Sequence, residues 1–280
     1  MKISFLAVTI FLSFAVQAQY YYKDIVGTKE SADLIKTYMA NKVSRVLLTS
    51  FDETNTKTEE FYVEQQFSVK DRSLRTITRS GVTNESVLIT YFDANGNVIK
   101  TVDSTDLMKS VSVYAYNSSG QLTSVVSTSS DSSFRTIQVE EHLWQYNDGK
   151  VSSMLRIKNK VDTTYVTFVL DDRGNVIEEQ ATRKGVKTEP VHYYYDDSNR
   201  LTDVVRFNNK ARRLLPEYMF EYSASNQVIQ KITVPTNNSK YMIWRYQYNN
   251  QGLKVREAVY SKDDKRKPLG KVEYQYTFGS

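Results

Sequence analysis

Residues 193–201 read YYYDDSNRL: three tyrosines, two aspartates, a polar turn and a leucine. Tyr193 and Tyr195 stand two apart, so on an extended strand they share one face and Tyr194 takes the other. Asp196 suits the first position of a turn, and Asn199, three residues on, tolerates a positive φ. Leu201, Val205 and Phe207 then mark a second, apolar strand. The stretch therefore reads as a β-hairpin whose first arm carries an aromatic face.

The pattern recurs along the chain. It returns as YFDANGNVI (91–99), YAYNSSGQL (114–122), WQYNDGKV (144–151) and FVLDDRGNVI (168–177). Later copies are FEYSASNQV (220–228) and YQYNNQGLKV (246–255), and VEYQYTF (272–278) is a last aromatic strand without a turn. The final aromatic or its equivalent falls at Phe92, Tyr116, Tyr146, Leu170, Tyr195, Tyr222, Tyr248 and Tyr276, at intervals of 24 to 30 residues. FSVKDRSL (67–74) is a diverged earlier copy. Even spacing of this kind is the signature of a repeat architecture. Each unit is two antiparallel strands, and its tyrosines form a ladder of cross-strand pairs.

These units resemble the YD repeats of the RHS-like family, whose motif runs roughly Arg-Tyr-x-Tyr-Asp-x-x-Gly-Arg-Leu. RYQYNNQG (245–252) is the best copy, and YYYDDSNRL keeps the Arg200-Leu201 end. The resemblance spans about 87–278. In large family members such repeats wrap into a hollow shell around a toxin, closed by a self-cleaving segment. This chain has neither a cleavage motif nor a toxin domain, and the family's association with carbohydrate is what the resemblance implies for a ligand.

The expected fold is mainly β, with repeated antiparallel two-strand units forming a long twisted or curled sheet and one short N-terminal helix. Eight units at ~4.8 Å per strand give a sheet roughly 75 Å long. A closed outer-membrane barrel is disfavoured here because charged residues fall on both faces and the chain does not end in an aromatic residue. Residues 28–41 place Leu34, Ile35, Tyr38 and Met39 on one helical face, with Thr28 or Ser31 as a cap and Asn41 as a stop. That helix is expected to cover the first sheet edge. Residues 44–51 and 59–67 read as strands.

Residues 1–18 read as a cleaved secretory leader: Lys2, an apolar run from Ile3 to Val16, and the small-residue site Val16-Gln17-Ala18. The remaining chain divides into a helix-plus-strand cap (19–66) and the repeat region (67–280). With no cysteine among 280 residues, no disulfide framework exists and stability must come from burial and backbone pairing. No apolar run reaches the ~20 residues of a membrane helix. The expected location is therefore exported, periplasmic or extracellular, with no transmembrane segment.

Charge is uneven. Residues 19–150 carry 14 Lys/Arg against 17 Asp/Glu, and residues 151–280 carry 22 against 15. The surplus concentrates at KDDKRKPLGK (262–271) and around Arg206, Lys210, Arg212 and Arg213. Such tips attract anionic glycans or lipid headgroups. Nucleic acid is not an expected partner of an exported chain.

Catalytic signatures are missing from the sequence: there is no cysteine nucleophile, G-x-S-x-G elbow, phosphate loop or dinucleotide fingerprint. Only His142 and His192 are present, and neither has partners at metal or general-base spacing. Glu140 and Glu141 point to opposite faces of one strand, and the Asp pairs at 171–172 and 196–197 are explained by turn chemistry. No catalytic residue, metal or cofactor is expected. The sequence points to a non-enzymatic exported binding or scaffold protein for a glycan or an envelope protein. Its candidate surface residues are Tyr194, Arg212, Arg213, Lys265, Arg266 and Lys267. The alternative is a carrier for lipid or another amphiphile on a curled apolar sheet face.

Overall fold

The computed structural model describes residues 20–81, 83–133, 135–235 and 241–279. Among the described residues one helix, α1 (Lys23–Ala40), precedes nineteen strands. The first nine are β1 (Val43–Asp52), β2 (Tyr62–Ser68), β3 (Ser73–Ser80), β4 (Thr83–Phe92), β5 (Val98–Ser104), β6 (Met108–Tyr116), β7 (Leu122–Asp131), β8 (Ile137–Asn147) and β9 (Lys150–Lys158). They continue as β10 (Asp162–Leu170), β11 (Val176–Arg183), β12 (Val186–Lys187), β13 (Val191–Tyr195), β14 (Leu201–Asn208) and β15 (Arg213–Tyr222). The last four are β16 (Val228–Thr233), β17 (Met242–Tyr248), β18 (Lys254–Ser261) and β19 (Gly270–Phe278).

Each strand pairs antiparallel with its neighbours in the chain, and β19 pairs antiparallel with β1 over Val43↔Phe278 to Asp52↔Gly270. β12 and β13 both lie along β11, so together they fill one stave. The wall is therefore a closed ring of 18 staves, the even number that antiparallel closure demands. This corrects the expectation of an open twisted or curled sheet. The physical cause is a recurrent bulge. In seven hairpins the register slips just before the final aromatic, as at Tyr194/Tyr195, Glu221/Tyr222 and Gln247/Tyr248. Each extra residue, such as Thr202 or Ile229, bends the second strand and increases its twist, so the curvature accumulates until the ends meet.

Closure also withdraws the expectation of no transmembrane segment, which rested on helix length. Among the described residues no helix is long and apolar enough to cross a membrane, but a barrel crosses with strands and is untouched by that criterion.

The repeat turns all lie at one end of the ring. In the 193–201 copy the Asp196 carboxylate accepts from the backbone of Ser198 (2.9 Å) and Arg200 (3.0 Å), and Asn199 adopts φ +59°. Asp93, Asn117 and Asn249 repeat the arrangement. These side chains are spent on their own backbone, which is why acidic, amide and hydroxyl residues interchange there.

Helix α1 does not cover an edge, because the ring has none. It spans the ring near the repeat-turn end. Its C-terminal part sits against the β4–β5 turn, where a Cβ at Gly96 would meet Lys36, Ile35 and Met39 at 3.2–3.5 Å. Asn41 donates to the Gln251 carbonyl in the β17–β18 turn (3.2 Å). Its N-terminal part lies across the ring, deeper in the lumen, where Asp24 meets His142 on β8. The helix starts five residues before the expected cap, so Thr28 lies inside it and donates back to the Asp24 carbonyl (2.7 Å). Lys29 and Asp33 face solvent, while Ile35 and Tyr38 are buried against Val46, Val63, Phe67 and Phe92. A second cluster around Trp144, Met154, Val166 and Tyr193 packs under Tyr20, Tyr21, Tyr22 and Ile25. A ring of 18 staves is too wide for wall side chains alone to fill, and the helix supplies the missing contents.

Candidate functional site

The inner wall is the natural place to look for a site, because alternation sends one residue in two into the lumen. Three groups of inward side chains carry charge next to α1, one of them the Arg206–Glu217 pair (2.8 Å) beside Lys23.

The first group fastens the N-terminal segment. Glu179 is 2% exposed and accepts from the backbone of Tyr21 and Tyr22 (both 2.9 Å) and from the Tyr193 hydroxyl (2.8 Å). Burial pushes its carboxyl up, and those three donors oppose the rise. Beside it, His142 bridges Asp24 (2.5 Å) and Glu140 (3.1 Å), and Arg156 donates to the other Glu140 oxygen (2.6 Å). Burial alone would lower the imidazole pKa, but the bonds to Asp24 and Glu140 outweigh it and lift it to about 9. Burial raises the Glu140 carboxyl, and His142 and Arg156 overcome that and hold it at about 2. His142 is therefore an imidazolium at neutral pH, already shared between two carboxylates, and has no free lone pair to act as a base. The Tyr21 ring sits edge-on to His142 at 5.6 Å. Asp24, 118 residues away, was not legible as its partner.

The second group lies on the wall formed by β15 to β19. Lys231 rests over the rings of Tyr218 (5.0 Å) and Phe220 (5.8 Å). Lys254 rests over Tyr246 (4.6 Å) and Tyr274 (5.6 Å) and reaches Glu257 at 3.3 Å. Glu30 of α1 faces both lysines. Its side chain is solvent-exposed, yet the surrounding wall raises its carboxyl while the lysines pull the other way. Burial likewise lowers Lys231, with Glu30 opposing. Glu30 is exposed and Lys231 and Lys254 are partly so, which leaves this stretch of the inner wall open to water beside the helix. It has aromatic sides, tyrosine hydroxyls, two cations and two carboxylates, of which Glu257 is already paired with Lys254. Sequence reading missed Lys231 and Lys254, because a period of two does not say which face will become a lumen.

The sequence candidates lie elsewhere and are not brought together. Tyr194 is 51% exposed on the outer wall of β13, opposite Asp203. Arg212 and Arg213 sit at the β14–β15 tip, and Lys265, Arg266 and Lys267 in the β18–β19 connection, all exposed on the rim away from the repeat turns. Tyr20 to Tyr22 are half-buried in the lumen.

No protein-family model matches the chain, and no curated protein matches it. Among solved structures it is similar to the Photorhabdus luminescens Tc holotoxin pore, at 13% identity and TM-score 0.34. That match covers 78% of this chain, which spans only 12% of the toxin chain. A porin-like protein from Bacteroides uniformis matches at 9% identity and TM-score 0.37, covering 84% of this chain and 98% of the other. At these scores the likenesses carry no argument about function.

Proposed function

We propose that the chain is an exported, non-enzymatic protein of the cell envelope that binds an acidic glycan inside its barrel. The observation that carries this reading is the placement of Lys231 and Lys254, each seated on two aromatic rings, on a solvent-accessible inner wall facing Glu30. Aromatic faces and hydroxyl edges suit sugar rings, and two ammonium groups in a shielded space select sugars that carry carboxylates. The imidazolium of His142 supports the non-enzymatic part, since the one buried histidine is committed to holding α1.

The test is a titration of the exported protein with polygalacturonate oligosaccharides and with neutral oligosaccharides of equal length, followed by calorimetry. Binding of the acidic series alone, abolished in Lys231→Met/Lys254→Met, is the expected outcome. Equal binding of both series, or binding that survives the double substitution, would remove the lumen as the site.

A further inference from the structure

Five consecutive connections on the rim away from the repeat turns, from β5–β6 to β14–β15, share a composition. Each exposes an apolar side chain: Leu107 (73%), Ile137 (58%), Val161 (84%), Val186 (70%) and Leu214 (46%). Each also carries a cation beside it, namely Lys109, Arg135, Lys160, Lys184 and Arg212, and the last two tips add Lys187 and Arg213. Single exposed apolar residues are ordinary on a protein surface, but five on adjacent hairpin tips form one continuous sector.

Backbone geometry adds an independent observation. Lys160, Lys184 and Arg212 occupy left-handed conformations, with φ +62°, +50° and +53°. Glycine and asparagine adopt that region at far lower cost. At the opposite rim the corresponding positions of the repeat turns are filled by Gly96, Gly120, Gly174, Asn199, Asn226 and Gly252. The contrast is partial: Asn159 and Gly185 adopt the same region on the cation-bearing rim, and Arg72 and Asp148 adopt it on the repeat-turn rim. Acidic groups of the same sector are largely engaged: Asp162 pairs with Arg183 at 2.8 Å and Asp131 caps its own turn. Asp106 is engaged as well, and Glu189 completes the acidic residues there.

We propose that this rim sector docks on an anionic lipid bilayer surface. The cations meet lipid phosphates, and the five apolar side chains dip to the boundary between headgroups and acyl chains. Charge complementarity selects this occupant, because cations interleaved with apolar tips match the two layers of a bilayer surface. A soluble polyanion offers the cations partners and leaves the apolar tips in water. The proposal is independent of the lumen site.

Flotation with phosphatidylglycerol/phosphatidylcholine vesicles and with phosphatidylcholine vesicles, at low and high salt, tests it. The wild type should float with the anionic vesicles and release at high salt. Lys160→Asn/Lys184→Asn/Arg212→Asn suits the left-handed geometry and should keep the barrel intact while weakening partitioning roughly a hundredfold. Val161→Ser/Val186→Ser, which keeps every charge, should weaken it roughly tenfold. Equal flotation with both vesicle types overturns the proposal, as does a triple variant that binds like the wild type. Association that resists salt and yields only to detergent also overturns it, because the wall rather than the rim would then be in the bilayer. Stripping by soluble polygalacturonate, undiminished in Lys231→Met/Lys254→Met and in the serine pair, would reassign the rim to glycan.

Discussion

The hydroxyl of Tyr222 donates to the backbone carbonyl of Leu201, 2.8 Å away on the neighbouring stave and 21 residues earlier. The same link joins Tyr116 to Val98, Tyr146 to Leu122, Tyr195 to Val176, Tyr248 to Val228 and Tyr276 to Lys254. Every acceptor is the first residue of its strand, next to the bulge. The final tyrosine of each repeat therefore ties its hairpin to the preceding one at the point where the wall bends.

Removing one of these ties, as in Tyr222→Phe, should cost about 1–2 kcal/mol, since it leaves a half-buried carbonyl without its donor. Thermal unfolding should show a loss of a few degrees. Pairing it with Tyr116→Phe, on the far side of the ring, should give the sum of the two single effects. A Tyr222→Phe protein as stable as the wild type would show that the hydroxyl is incidental.

Glu179→Ala leaves the amides of Tyr21 and Tyr22 and the Tyr193 hydroxyl without their acceptor. Hydrogen exchange should accelerate in residues 21–26 by at least tenfold while the amides of β1 and β19 keep their protection. Uniform acceleration throughout the wall would mean that plug and barrel open as one unit.

The His142 network gives stability a pH dependence of definite sign. Folding lifts the imidazole from about 6.5 to about 9, so its contribution is complete below pH 6.5 and disappears as pH rises through 9. Chemical denaturation should show the wild type losing about 3 kcal/mol relative to His142→Gln between pH 6 and pH 9.5. Glu140 acts in the other direction: its contribution is present above its ordinary value and fades as pH falls toward 2. A wild-type advantage that stays constant from pH 6 to 9.5 would count against the imidazolium.

Two turn glycines separate backbone strain from helix seating. Both Gly96 (φ +83°) and Gly120 (φ +76°) are left-handed, but a Cβ at Gly120 meets open space, whereas at Gly96 it crowds the Lys36 side chain at 3.2 Å and touches Met39 and Ile35. Gly120→Ala should cost about 1 kcal/mol from strain alone, and Gly96→Ala about 2 because α1 must also shift. Equal midpoints for the two variants would mean that α1 yields freely at that turn.

The hairpins were legible because aromatic residues two apart, a turn-forming Asp196 and a tolerant Asn199 all act within nine residues. The helix was legible on one face: Ile35 and Tyr38 are buried as the spacing implies. Closure was not legible. It depends on one extra residue per hairpin, Thr202 or Ile229, which reads as an ordinary strand position, and on Val43 meeting Phe278 across most of the chain. The same blindness hid Lys231 and Lys254. In an open sheet they would be one face among two, and only the ring makes that face an interior.

The pairing of β1 with β19 has a consequence for the order of events in synthesis. In the chain the helix precedes every stave, and the strand that locks the wall follows all the others. Until Gly270–Phe278 arrives, the growing sheet has two raw edges and the helix lies in an open trough. The final stave therefore works as a bolt: it removes both edges at once and shuts the helix inside. A chain stopped one stave short is not a narrower barrel but an unlatched one.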